Sequence, residues 1–180
     1  VKFGGSSLAS AEQFRKVSEI IHADKDRRYV VPSAPGKRGS KDTKVTDMLY
    51  DCYSAAGDAE ALTKKIAAIQ ARYQEIIDGL GLELSLEEQF KEIRERFEQH
   101  AGSDYASRGE YLNGIVLAAY LEYDFIDAAE VICFDEDGVF DAEKTDEKMR
   151  ARLGETERAV IPGFYGAMPD GSIKTFSRGG

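Results

Sequence analysis

Lys2-Phe3-Gly4-Gly5-Ser6-Ser7 opens the chain with residue types suited to a phosphate. Glycines let backbone N–H groups approach an anion closely, and an ammonium supplies charge. The order differs from a Walker loop, where the glycines come before the lysine. A tight turn beside an exposed lysine is the plainer reading of the same residues. A second turn with glycine and hydroxyl, Ser33-Ala34-Pro35-Gly36, closes the apolar run Tyr29-Val30-Val31. Lys37, Arg38, Lys41 and Lys44 then concentrate positive charge, a pattern that usually marks a solvated loop. Near the other end, Pro162-Gly163-Phe164-Tyr165-Gly166 and Ile173-Lys174-Thr175-Phe176 read as a hairpin turned at Gly171 and leading into Ser177-Arg178-Gly179-Gly180. An arginine in such a loop can hold a carboxylate through two parallel hydrogen bonds.

The elements that must position these residues follow from periodicity. Ser10-Ala11-Glu12-Gln13 has the form of a capping box and precedes Phe14, Val17 and Ile21 at helical spacing. Val45 to about Tyr53 reads as a helix with Val45, Leu49 and Cys52 inward. A long helix is expected from Asp58 to Asp78, with a stripe of Leu62, Ile66, Ile69, Tyr73 and Ile76, ended by Gly79 and Gly81. Ser85-Leu86-Glu87-Glu88 and Ser107-Arg108-Gly109-Glu110 are two more boxes. The first leads to Leu86, Phe90, Ile93 and Phe97, the second to Leu112, Ile115, Val116, Ala119 and Tyr120. Phe125-Ile126, Val131-Ile132-Cys133-Phe134, Ala159-Val160-Ile161 and Ser172–Phe176 are short apolar runs bounded by Asp, Gly or Pro, hence strands. Helices alternating with such strands predict an α/β fold, an open and mostly parallel sheet with helices on both faces. Ligands of such sheets bind beyond the carboxyl ends of the strands. The turns at Gly4 and Ser33 would then share one rim.

Composition narrows the chemistry. The chain has 180 residues, 42% of them apolar, enough for a sizeable core. Its 24 basic and 33 acidic residues leave a formal charge of -9, opposite in sign to what a nucleic-acid binder needs. No run approaches the roughly 20 apolar residues of a membrane helix. Cys52 and Cys133 have neither disulfide-framework nor metal-site spacing. His22 and His100 are the only histidines; each is expected near a helix C-terminus, with no catalytic role. The chain starts at Val1 in what reads as the end of a strand and stops at Gly180 in a loop, so it is expected to be a fragment of a longer chain.

Taken in order and spacing, Lys2–Ser7, Ser33–Lys37, Val45-Thr46-Asp47, Ser107–Glu110, Gly163–Gly166 and Ser177–Gly180 resemble the aspartate kinases of the amino acid kinase family. The resemblance spans essentially the whole chain and corresponds to the N-terminal part of a catalytic domain of αβα type, apparently truncated. Two departures stand out. Ser177 occupies a position where the family usually has glycine, and the Ser-Asp that usually follows Arg-Gly-Gly lies past Gly180. The family's later catalytic half, which grips most of the nucleotide, and its C-terminal ACT domains are not in the sequence.

The resemblance implies transfer of the γ-phosphoryl of MgATP to the β-carboxylate of L-aspartate, a first step toward lysine, threonine and methionine. A carboxylate nucleophile with a pKa near about 4 is already ionised at neutral pH, so no general base is required. Bringing one anion up to another makes positioning and positive charge the main requirement. By resemblance, Lys2 contacts the moving phosphoryl group, and Gly4, Gly5 and Ser6 line the phosphate cradle. Ser33 and Thr46 contact the amino acid, Glu110 accepts from its ammonium, and Arg178 holds a carboxylate. Glu110 alternatively closes a capping box, and the two roles compete. ATP and Mg2+ are the implied cofactors, with no metal ligand assigned in the chain. A cytoplasmic protein, homo-oligomeric at full length and contacting neither nucleic acid nor membrane, is expected. A family member acting on glutamate, acetylglutamate or carbamate is one alternative. The other is a non-catalytic piece that binds phosphate or amino acid weakly. These 180 residues alone are expected not to turn over.

Overall fold

The structure is a computed structural model and describes residues 1–99 and 102–177. Its centre is a four-stranded sheet ordered β1-β2-β4-β3, formed by β1 (Lys2–Phe3), β2 (Tyr29–Pro32), β3 (Asp124–Phe125) and β4 (Ala159–Val160). Every pairing in it is parallel, with Lys2 opposite Val31, Tyr29 opposite Ala159, and Asp124 opposite Ala159. All four carboxyl ends therefore lie on one rim. The expected parallel α/β architecture is the observed one.

Strand alternation divides the core into two faces. Val30 and Val160 point into the larger cluster, which Phe14, Val17 and Ile21 of α1 (Ala11–His22) join. Leu49 and Cys52 of α2 (Val45–Ser54) and Ile66, Ile69 and Tyr73 of α3 (Ala59–Leu80) belong to the same cluster. Phe90, Ile93 and Phe97 of α4 (Glu87–Glu98) and Leu112 and Val116 of α5 (Arg108–Leu121) extend it. Ala159 faces the other way, into a smaller cluster with Ile126, Val131 and Ile161, packed by Tyr29, Met149 and Leu153. That second face is covered by α6 (Ala128–Val131) and α7 (Ala142–Gly154).

Several elements differ from expectation. Val131–Phe134 is not a strand: Asp127 accepts from the N–H of Ala129 at 3.0 Å and caps the short α6 over Ala128–Val131. Cys133 and Phe134 then make only isolated bridges, to Ala167 and Phe140. Helix α7, capped by Asp141 at the N–H of Lys144, has no recognisable apolar stripe because only Thr145 in it is buried. Gly79 lies inside α3, where a Cβ would come within 2.7 Å of Ala11, so its bareness lets α1 pack close. Gly81, at φ 69°, is the true terminator. The expected hairpin is present as β5 (Tyr165–Ala167) antiparallel to β6 (Ile173–Thr175), turned at Gly171 with φ 83°.

The capping boxes fare differently. Ser10 makes no side-chain cap bond, whereas Ser85 accepts from the N–H of Glu87 at 3.3 Å. At Ser107 a 3₁₀ turn over Ser103–Ser107 runs directly into α5, and the N–H of Arg108 is satisfied by the carbonyl of Tyr105. The Ser107 hydroxyl is left buried and unpartnered. No capping box forms there.

Candidate functional site

The rim is assembled from two turns stitched together. After β1 the chain enters a 3₁₀ turn over Gly5–Leu8, and after β2 it runs through Ser33–Gly36. The Gly36 N–H donates to the Gly5 carbonyl at 2.8 Å. A Cβ on Gly5 would lie 2.7 Å from the Ala34 carbonyl oxygen, and one on Gly36 2.6 Å from the Gly5 carbonyl carbon. Only glycine at both positions lets these backbones touch. Gly4, by contrast, is exposed, and a Cβ there would meet nothing within 4 Å.

Helices α2 and α5 close the site. The N–H of Val45, first residue of α2, donates to the Pro35 carbonyl at 3.1 Å, which fixes Thr46 beside the Ser33–Gly36 turn. No side chain caps α2, so N–H groups of its first turn stay available to a ligand. On α5, a Cβ at Gly109 would come within 2.9 Å of the Ala34 methyl, so glycine allows the helix to seat against the turn. The Tyr73 hydroxyl donates to the Gly109 carbonyl at 2.7 Å and pins that helix start. One turn further on, Asn113 is fully buried and its Nδ2 donates to the Ser33 carbonyl at 2.7 Å.

The result is a pocket of ≈ 430 Å³. Gly5, Ser6, Ser33, Thr46 and Glu110 line it together, with Gly36, Lys37 and Lys44 beside them. Five of the residues singled out in the sequence, from four separate segments, thus meet in one cavity. Lys2 and Gly4 do not line it: Lys2 is exposed on the edge strand β1. Arg178 and His100 lie outside the described residues. His22 ends α1, with its ring bonded to Ser18.

Among the residues that line the pocket, Glu110 is the one whose pKa is clearly shifted. It is 7% exposed, and Oε2 is buried with no hydrogen-bond partner. Burial raises its pKa from 4.5 to about 7, against the pull of the Ala34 and Glu110 N–H groups and of Arg108. At the wall of the cavity this half-satisfied carboxyl group has room for a further partner on Oε2, and a perturbed group in a cleft is a functional-site candidate. Glu110 closes no capping box with Ser107, whose side chain makes no cap bond. Nearby, the Arg108 guanidinium lies over the rings of Tyr105, Tyr111 and Tyr165 at 5.4, 4.7 and 4.3 Å. Asp127 accepts from the Tyr165 hydroxyl at 2.6 Å and caps α6, a structural assignment.

Sequence reasoning misses three contributors. Asn113 could have been found as the polar residue one turn after Glu110. Arg72, 4% exposed in the apolar stripe of α3, could have been found as a lone charge on an inward face. Its partner Asp42 carries no signal beyond its place in a charged loop.

No described helix is long and apolar enough to cross a membrane. Among the described residues, no group of three or more His, Cys, Asp or Glu is placed to hold a metal.

Comparison with known proteins agrees with this architecture. Residues 1–180 match the amino acid kinase family. Aspartokinase 3 of Bacillus subtilis (strain 168) is 38% identical, over 100% of this chain and 43% of its own length. The aspartokinase of Chlamydia trachomatis is 30% identical, over 99% of this chain and 42% of its own. The crystal structure of Clostridium acetobutylicum aspartate kinase superposes with a TM-score of 0.94 at 48% identity, covering 99% of this chain and 42% of that one. Escherichia coli aspartokinase III, solved with aspartate and ADP, shares the fold with a TM-score of 0.80 at 22% identity. The chain therefore spans less than half the length of the relatives it matches. With its parallel sheet, its rim of glycine turns and a family match that covers every residue, the chain belongs to the amino acid kinase family.

Proposed function

We propose that this chain is the amino-acid-binding part of an aspartate kinase catalytic domain. The reaction is transfer of the γ-phosphoryl of MgATP to the β-carboxylate of L-aspartate, giving 4-phospho-L-aspartate, an acyl phosphate. The observation that carries the reading is the pocket in which buried Glu110, with an unpartnered oxygen, joins the Ser33 and Thr46 turns and the Gly5–Ser6 cradle.

Each residue has a physical task. Glu110 accepts from the substrate ammonium, which replaces the missing partner of Oε2. Asn113 fixes the Ser33 carbonyl and so the turn that meets the amino acid. Thr46, on the first turn of α2, brings a hydroxyl to the same cavity. Gly5 and Ser6 let backbone N–H groups reach phosphate oxygens, with Gly4 at the entry to that turn. Lys2 supplies charge to the transferring group, and Arg178 grips a carboxylate through its fork. Magnesium enters as part of the nucleotide substrate. No general base is needed, in keeping with an acceptor that is already ionised. We further place the full-length protein in the cytoplasm as a homo-oligomer, with residues 1–180 as the N-terminal part of its catalytic domain.

The test is acceptor specificity in the full-length protein. ADP release is measured with L-aspartate, L-glutamate, N-acetylglutamate and carbamate as acceptors. The reading requires aspartate to be preferred, and a preference for any of the others would replace it with that acceptor's kinase. If no acceptor supports ADP release and calorimetry detects no binding of aspartate, the chain is a non-catalytic member of the family.

A further inference from the structure

The pocket has charged residues that the roles above leave unused. Lys37 and Lys44 line it together with Glu110, at the two ends of the 37–44 loop. Both are exposed, and among the described residues neither makes an ion pair. With Glu110 ionised, the charged lining of the cavity is therefore net positive inside a chain of formal charge -9. A solvated loop accounts for exposed lysines, but not for the way this loop is fastened.

The fastening begins in the core. Arg72 of α3 is 4% exposed. Its Nη2 donates to the Gly36 carbonyl at 2.7 Å and the Ala9 carbonyl at 3.1 Å, joining the end of the β1 turn to the end of the β2 turn. Its Nη1 donates to Asp42 Oδ2 at 2.5 Å, in the middle of the basic loop. Asp42 in turn accepts from Arg38 through the backbone N–H at 2.9 Å, Nε at 3.0 Å and Nη2 at 3.1 Å, while Arg38 also pairs with Glu75. A buried guanidinium with one carboxylate and two carbonyl partners, one of them Gly36 itself, ties the loop to the cradle rather than merely to the surface.

We propose that Lys37 and Lys44 form a cationic wall of the pocket that takes an oxyanion of the bound ligand, and that Arg72 acts through Asp42 as a positioning pair that holds this wall in place. The inference rests on the aspartate kinase reading for the identity of the ligand. The recognised chemistry is an oxyanion, supplied by a carboxylate of the amino acid or by a phosphoryl oxygen of the nucleotide. Lys37 directly follows the Ser33–Gly36 turn and Lys44 directly precedes the helix that carries Thr46, the two segments assigned to the amino acid, and this favours the carboxylate.

Steady-state kinetics in the full-length protein, with aspartate and MgATP varied separately, tests both parts. Lys37→Met and Lys44→Met should each raise the KM for aspartate by about tenfold or more, the loss of one charge-assisted contact, with the melting temperature unchanged. A rise in the KM for MgATP alone would show that the oxyanion is the nucleotide's. No change in either KM for both variants removes the wall. Asp42→Asn should raise the same KM while sparing kcat and the other substrate. The triple variant Asp42→Asn/Lys37→Met/Lys44→Met should be no worse than Lys37→Met/Lys44→Met, since contacts acting in series do not add. Arg38→Met, which loosens Asp42 from the solvent side and leaves Arg72 paired, repeats the measurement if Asp42→Asn does not fold. Additive effects, or a lowered melting temperature with both KM values shifted equally, would make Arg72 and Asp42 purely structural. Calorimetric titration of the same variants with aspartate and with MgADP separates the two readings. If the unmodified protein binds these ligands without turnover, the enzymatic reading fails and the affinities alone decide the wall; if it binds neither, both fail.

Discussion

Glu110 concentrates the chemistry of the site in one carboxyl group. With its pKa raised by burial to about 7, the ammonium recognition proposed for it should be pH-dependent near neutrality. The ionised form is the one that binds, so aspartate affinity should fall by up to about tenfold per pH unit below pH 7 and level off above it. The dependence should vanish in Glu110→Gln, and calorimetry at pH 6, 7 and 8 reads both. Stability carries the opposite sign. A carboxyl whose folded pKa lies above its unfolded value of 4.5 favours the folded state below that value, and the advantage disappears as pH rises toward about 7. Glu110→Gln should therefore keep or raise the melting temperature at pH 8 while weakening aspartate binding. Glutamine also closes a capping box, so a purely capping residue would leave aspartate binding unchanged in this variant. Lys2→Ala should lower kcat by about 10²-fold with little effect on aspartate affinity, the loss of one electrostatic stabiliser of the transition state. Arg178→Lys keeps the charge but not the fork and should weaken aspartate binding by roughly 1.5–3 kcal/mol while sparing ATP.

At the scale of the elements, the two glycines of the opening motif are separable. Gly5→Ala drives a methyl into the Ala34 carbonyl at 2.7 Å and the Gly36 backbone, and neither can give way without moving a strand end. It should destabilise the fold by about 1–3 kcal/mol, as overpacking does, and Gly36→Ala should match it. Gly4→Ala meets nothing within 4 Å and sits on extended backbone, so thermal unfolding should be that of the parent. A loss of stability in Gly4→Ala, or none in Gly5→Ala, would contradict the stitched rim. Most of these elements are legible as periodicity: the stripes of α1 to α4 and the apolar runs at β2 and β4 lie where spacing puts them. What escapes has local causes that the pattern of residue types does not show. The serine-to-glutamate spacing at Ser107–Glu110 imitates a capping box, but the 3₁₀ turn before it already satisfies the helix start. The run Val131–Phe134 is apolar enough for a strand, yet the local cap at Asp127 turns its first residue into a helix. Helix α7 buries too little to leave a stripe.

For the whole molecule, the pocket is a product of topology. Parallel pairing places the turns after β1 and β2 side by side, and α5 then delivers Glu110 and Asn113 to them. The sequence names Gly5, Ser6, Ser33, Thr46 and Glu110 by motif. The parts it does not name, Arg72, Asp42 and Asn113, act through partners tens of residues away, which no local pattern encodes. Binding at such a junction should be felt by the entire fold. Aspartate at about 100 times its dissociation constant should stabilise the protein by about 2.7 kcal/mol, visible as a higher melting temperature, and by less at pH 6 than at pH 8 at fixed ligand concentration. The most direct test of the account compares two acceptors that differ only in the ammonium Glu110 is assigned to read. Acyl phosphate formed from MgATP by the full-length protein is trapped with hydroxylamine, using L-aspartate and succinate, for the unmodified protein and for Glu110→Gln. The account predicts hydroxamate from aspartate, a strong preference for aspartate over succinate, and collapse of that preference in Glu110→Gln. Absence of hydroxamate from aspartate, or a preference untouched by the substitution, would contradict it.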